Sequence, residues 1–237
     1  MTAATLPAPA KLTVSLRVVG VRPDGYHLLD AEMVSLDLAD SLTFSPGDGL
    51  EVVGGPPGVP EGGDNLVARA LVTVGRQAHV RLVKRIPAGA GLGGGSSNAA
   101  AVLRWAGVDD VGVAGKLGAD VPFCVHGGRA QVRGTGEVLT PLPFEARTYT
   151  LLTPPFGCST PAVYRMWDRL GGPRSATGPN DLEPAALRVE PRLVEWRDQL
   201  AGATGQAPVL AGSGSTWFVE GAFPGEGRIV ARTVPAY

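Results

Sequence analysis

Between Pro87 and Trp105 the chain reads PAGAGLGGGSSNAAAVLRW, a glycine run that passes directly into an alanine run. Five glycines fall between Gly89 and Gly95, and Ser96 and Ser97 follow them. The half from Ser97 to Trp105 predicts a helix, with Ser96 or Ser97 as its natural N-cap. Upstream, His79–Ile86 alternates apolar and polar residues as a strand does. A strand entering such a loop, with a helix behind it, aims several backbone N–H groups and the positive end of the helix dipole at one point. That arrangement is a cradle for phosphate. Glycine is needed there because a side chain would block the close approach. A flexible surface loop is the competing reading, but linkers rarely sit between a good strand and a good helix.

Other phosphate signatures fit less well. A P-loop requires G-x-x-x-x-G-K-[ST], and no Gly-Lys-Ser/Thr occurs in the chain. Gly89, Gly91 and Gly94 do spell G-x-G-x-x-G. A dinucleotide fold also wants a second strand ending in an acid about 20 residues on. Asp109 and Asp110 lie at about that distance, but Ala106–Val108 is too short for the strand. The protein-kinase signatures V-A-I-K and H-R-D are absent.

Working outward, strands are predicted at Lys11–Val19, Glu32–Leu38, Ser41–Phe44 and Leu50–Val53, with an Asp-Gly turn in Arg22–Tyr26. Gly54–Asp64 reads as a loop and Asn65–Gln77 as a helix with Asp64 or Asn65 near its N-cap. Later strands are expected at Arg129–Arg133, Glu137–Thr140 and Thr148–Thr153, and helices starting at Thr160 and Pro191. Strands return in Pro208–Glu220 and Gly227–Val234. Strands followed by a helix-rich section, without regular βαβ alternation, predict an α+β fold. A boundary near residues 141–147 divides the chain into 1–145 and 146–237.

The chain has 237 residues, and its 34 glycines and 21 prolines make up about 23% of it. That approaches the range of disordered chains, but 44% hydrophobic and only 18% charged residues allow a core. With 21 basic against 22 acidic residues the net charge is −1, which disfavours nucleic acid as a partner. No apolar stretch reaches the roughly 18 residues of a membrane span, and the opening MTAATLPAPAK is not expected to act as a signal peptide. Cys124 and Cys158 form no C-x-x-C pair, so a reduced, cytoplasmic setting is expected. Lys occurs three times (Lys11, Lys84, Lys116) and Asn three times (Asn65, Asn98, Asn180). Each therefore stands out against an arginine-rich background, because Arg does not replace a compact ammonium everywhere.

PAGAGLGGGSSNAAAVL resembles the glycine-rich ATP loop of the GHMP kinases, the family that includes galactokinase, homoserine kinase and mevalonate kinase. Within it, G-L-G-G-G-S-S-N-A-A is most similar to the branch acting on a cytidine-diphosphate-linked methylerythritol. Four further motifs, in order, resemble that branch. They are Pro9-Ala10-Lys11 with Asp24-Gly25-Tyr26-His27, Leu117–Phe123 (LGADVPF), Asn180–Glu183 (NDLE) and Leu210–Thr216 (LAGSGST). The resemblance spans nearly the whole chain. It implies a two-domain fold, with an N-terminal ribosomal-protein-like ATP-binding half and a C-terminal α+β half, and a cleft between them.

The resemblance also implies roles. Pro87, Ala88, Gly89, Ala90, Gly91, Leu92, Gly93, Gly94, Gly95, Ser96 and Ser97 would hold the phosphates of ATP, and Ser96 or Ser97 could face Mg²⁺. Asn65 would lie toward the adenine, although a plain N-cap explains it equally well. Asp120 would accept the proton of the substrate hydroxyl, with a turn cap as its bland alternative, and Lys11 would be its active-site cation. Tyr26 would stack on cytosine, His27 would bond its polar edge, and Tyr164 would be a second stacking aromatic unless it is core. The family usually reads PAKIN where this chain has PAKLT, so Thr13 replaces an amide that contacts substrate. The segment between Trp105 and Lys116 is shorter than usual, and the C-terminus ends early. The implied reaction is ATP-dependent phosphorylation of the 2-hydroxyl of 4-(cytidine 5′-diphospho)-2-C-methyl-D-erythritol by a monomer or weak dimer. Metal ligands stay open. A kinase for another small alcohol, or a nucleotide sensor without turnover, are the alternatives.

Overall fold

The computed structural model describes residues 3–55, 62–172 and 178–237, so residues 56–61 of the predicted loop Gly54–Asp64 lie outside it. The first half is built on two long strands, β1 (Ala4–Val21) and β2 (His27–Ser45), paired antiparallel through the Asp-Gly turn. β2 also pairs with β4 (His79–Val83) near its end and β5 (Arg129–Gly134) near its start. β3 (Gly49–Val53) adds in parallel to β4, and β6 (Val138–Pro141) closes the far edge against β5. Sequence alternation predicted two strands, Glu32–Leu38 and Ser41–Phe44, where the structure has one. The polar residues between them do not break the strand because Asp40, only 1% exposed, has a buried partner set described below.

Against this six-stranded sheet pack α2 (Gly94–Ala106) and α4 (Val121–His126), and α1 (Leu66–Thr73) and α3 (Val111–Leu117) pack on those helices. Neither α3 nor α4 was expected from sequence, because each is only two turns or less. The helix after the glycine run starts three residues before Ser97. Its N-cap is Gly93 in a left-handed conformation (φ 67°), with no side-chain cap bond, which corrects the serine N-cap.

The second half carries a four-stranded sheet of β10 (Arg228–Arg232), β7 (Thr148–Leu152), β9 (Trp217–Glu220) and β8 (Val209–Leu210), in that order. The stretch Pro208–Glu220, predicted as strand, is interrupted by a glycine loop between β8 and β9. Helices α5 (Thr160–Arg169), α6 (Glu183–Val189) and α7 (Leu193–Thr204) complete it. Register shifts between Pro9 and Lys11 and between Thr13 and Ser15 switch the face that β1 presents: Ala8, Leu16 and Val18 join the large core beneath the helices, while Ala10 and Leu12, between the two shifts, join a second core. That second core also holds Leu36, Ile86 and Leu92 from the first half and Tyr149, Leu151 and Phe218 from the second. The two sheets thus share a buried apolar seam, and Lys11 lies between two of its residues.

Candidate active site

A β-bulge directly before Lys11 re-aims this part of β1. The Lys11 backbone N–H donates to Leu92 O at 3.0 Å, which fastens the strand to the glycine loop. Its ammonium donates to Thr13 Oγ1 at 3.1 Å and lies 3.4 Å from Asp120 Oδ2. Lys11 is 8% exposed in its side chain, whereas Asp120 keeps 32% open to the cavity. Asp120 sits at the N-terminus of α4 but makes no side-chain cap bond there, so the carboxylate is left for the cavity. Its bland reading as a turn cap is therefore not what the geometry uses it for.

The glycine loop wraps around Lys11. A Cβ on Gly93 would come within 2.6 Å of Lys11 Cγ, and one on Gly91 within 2.5 Å of Gly214 O. Both residues have positive φ, so space and backbone conformation demand glycine together. Ala90 and Leu92 point the other way, buried in the shared seam, so only their backbone could meet a ligand. Ser97 is also turned inward: its hydroxyl donates to Pro9 O at 2.5 Å. Ser96, by contrast, faces the cavity. Asn65 caps α1, its side-chain oxygen accepting from Val67 N at 2.9 Å, and it does not line the cavity of Lys11 and Asp120.

Behind the loop lies a buried set that sequence motifs did not single out. Asp40 Oδ1 accepts from the backbone N–H groups of Arg85 and Ile86 at 2.7 and 2.8 Å. Asp40 Oδ2 accepts from Asn98 Nδ2 at 2.8 Å and from the Lys84 ammonium, which also donates to Asn98 Oδ1. One carboxylate therefore ties the strand entering the glycine loop to the helix leaving it. The scarcity of Lys in this chain was the one signal pointing to Lys84, whereas Asn98 also falls within the glycine-loop motif, which gave it no role. Asn180 does similar work on the opposite wall. Its Nδ2 donates to Leu210 O and Gly212 O at 2.8 and 2.7 Å, and this holds Gly212 against Lys11 and Thr13. Asp181 beside it bonds Arg17 and the backbone of Val18, so the NDLE stretch ties the second glycine loop to β1.

Lys11, Thr13, Gly91, Gly93, Ser96, Asp120 and Gly212 line one cavity of about 820 Å³. Its other end is walled by Tyr26, His27, Tyr164, Arg165 and Asp168. Tyr26 is 64% exposed at the tip of the β1–β2 turn. His27 is held against α5, its ring 4.7 Å from that of Tyr164 and 5.4 Å from that of Trp167. Burial, with the charge of Asp120 adding to it, pushes the Tyr164 phenol well above its ordinary range, so it stays a neutral hydroxyl. The cavity thus joins a phosphate cradle and a charge pair at one end to a cluster of flat rings at the other.

Comparison with known proteins gives the following. The family described as "GHMP kinases N terminal domain" matches residues 65–128. A 4-diphosphocytidyl-2-C-methyl-D-erythritol kinase of Paracoccus denitrificans is 39% identical over 231 residues, covering 89% of this chain and 84% of that protein. One of Nitrosomonas eutropha is 37% identical over 262 residues, covering 98% and 92%. A solved structure of a 4-(cytidine 5′-diphospho)-2C-methyl-D-erythritol kinase aligns with a TM-score of 0.77 at 33% identity, covering 97% of this chain and 99% of that one.

Proposed function

Because this chain belongs to the 4-diphosphocytidyl-2-C-methyl-D-erythritol kinases of the GHMP family, we infer that it transfers the γ-phosphoryl group of ATP to the 2-hydroxyl of 4-(cytidine 5′-diphospho)-2-C-methyl-D-erythritol. The enzyme is an ATP-dependent kinase of isoprenoid precursor synthesis. The observation that carries the residue assignments is the single cavity on which the glycine cradle, the Lys11–Asp120 pair and the ring cluster converge.

Phosphoryl transfer depends mainly on positioning and on stabilising charge at the transferred group. In the proposed step Asp120 accepts the proton of the 2-hydroxyl as its oxygen bonds the γ-phosphorus and the bond to the departing ADP oxygen breaks. Lys11, 3.4 Å from Asp120, offsets negative charge at the reacting oxygens during the step. Backbone N–H groups around Gly91–Ser96 would hold the phosphates; the cavity that Gly91, Gly93 and Ser96 line supports the fit. Mg²⁺ would enter with the nucleotide, and Ser96 Oγ is the loop hydroxyl that could complete its shell. Asn65, at the start of α1, would bear on the adenine side through the position of that helix. Tyr26 and Tyr164 would bracket the cytosine while His27 bonds its edge, and Thr13 would offer one hydroxyl where an amide is usual.

The same reading divides the chain into units 1–145 and 146–237, with the first sheet ending at β6 and the second starting at β7. Two free thiols support a cytoplasmic location, and among the described residues no helix is long and apolar enough to cross a membrane. The test is ADP release with the cytidine substrate, joined to phosphorus NMR of the product. A new phosphomonoester on the 2-carbon is expected. ADP release only with a different small alcohol would move the assignment to another GHMP substrate, and no release with any alcohol would favour a sensor.

A further inference from the structure

His27 opens β2 and Asp168 lies in the last turn of α5, yet His27 Nε2 and Asp168 Oδ1 are 2.8 Å apart across 141 residues of sequence. Tyr164, Trp167 and Asp168 stand at i, i+3 and i+4, one face of that helix. Tyr164 meets the imidazole with its planes tilted by 36°, and Trp167 meets it edge-on at 84°. One helix face thus fixes the ring's plane and engages one of its two nitrogens. Among the described residues Nδ1 has no hydrogen-bond partner, and it is not sealed in the interior. His27 lines the cavity, so Nδ1 is the polar atom it has left for a ligand.

A carboxylate only accepts hydrogen bonds. A neutral His27 bonded to Asp168 therefore carries its proton on Nε2, and Nδ1 is left as a bare acceptor. We propose that Asp168 is a positioning residue that sets the tautomer of His27, so that the site selects a base with an exocyclic amino group over one with a carbonyl at that position. This rests on the cytidine reading above. Cytosine presents an N4 amino donor where uracil presents the O4 acceptor. Uracil would set two lone pairs against each other, and a site built for a donor rejects an analogue that lacks it.

The tautomer is measured first, without substrate. The chain has three histidines, His27, His79 and His126, so long-range nitrogen–proton NMR can resolve each ring. The wild-type protein should show His27 protonated on Nε2. Asp168→Lys offers only donors and should move the proton to Nδ1, while Asp168→Glu should keep the wild-type tautomer. The Asp168 side chain is half exposed, so both changes are compatible with folding. The kcat/KM ratio for cytidine over uridine diphosphate-linked substrate should be roughly 10- to 100-fold in the wild type. It should fall toward unity in Asp168→Lys and be retained in Asp168→Glu. A wild-type His27 protonated on Nδ1, or a tautomer and ratio unmoved by Asp168→Lys, overturns the proposal. No turnover of either substrate by the wild type would instead overturn the cytidine reading, and with it base selection, while the spectrum still decides the tautomer.

Discussion

At the scale of single residues, Lys11 and Asp120 differ in how much water they keep. The ammonium is almost fully buried and already bonded to Thr13, whereas the carboxylate stays open on its cavity side. Replacing Lys11 by Met keeps the stem's packing under Gly93 but removes the charge beside Asp120. The expected result is a fall in kcat of on the order of 10²-fold or more, with KM for ATP less affected, read from steady-state ADP release. Cys124 lies close enough to this pair to feel both charges. Burial, with the Asp120 charge adding to it, pushes its thiol up to about 12. The folded protein should then hold that proton well past the ordinary thiol range of about 8.5, while the unfolded chain releases it. Unfolded protein binds fewer protons in that window, so stability is full below it and declines as pH rises toward 12. Denaturant midpoints between about pH 8.5 and 11 should drop in the wild type, and the part due to this thiol should vanish in Cys124→Ala. Native alkylation at about pH 8 should reach the half-buried Cys158 before Cys124.

At the scale of elements, the glycine loop is held by what lies behind it more than by its own sequence. Asp40 bonds the strand entering the loop and Asn98 in the helix leaving it, and both Asp40 and Asn98 are buried. Asp40→Ala would leave the Lys84 ammonium and two backbone N–H groups without their acceptor. A loss of about 3–5 kcal/mol in equilibrium unfolding is expected, the cost of breaking a buried pair by removing one partner. Asp40 also shows where the sequence stopped being legible. The glycine run, its flanking strand and its helix could be read locally, because each follows a short-range pattern. The polar stretch before Leu42 looked like a break between strands, since nothing within a few positions reveals a partner 44 residues away. The same holds for Asp168, whose neighbour His27 is named by a motif while Asp168 itself carries none. The serine N-cap failed for a related reason. Packing of Lys11, Lys84 and Ile86 against the glycines lets the helix start at Gly94, where propensity alone disfavours it.

At the scale of the whole molecule, the site lies along the seam where two sheets bury Leu12, Leu36 and Leu92 against Tyr149, Leu151 and Phe218. The family motifs made the fold and the Lys11–Asp120 pairing readable in advance. The seam was not, because strands buried on both faces lose the alternation that marks an inner side. Leu151 is fully buried within it. Leu151→Ala should cost about 2–5 kcal/mol and lower the midpoint of a single shared transition, followed by circular dichroism and tryptophan fluorescence together. Two separated transitions, with only one displaced, would mean that the halves fold independently. The central claim is that this cavity phosphorylates the cytidine substrate with Asp120 as base, and the rate of phosphoryl transfer in Asp120→Asn measures it most directly. The isosteric amide cannot take the proton, so transfer should slow by ~10²–10⁴-fold while both substrates still bind. Transfer at the wild-type rate in Asp120→Asn would contradict the account.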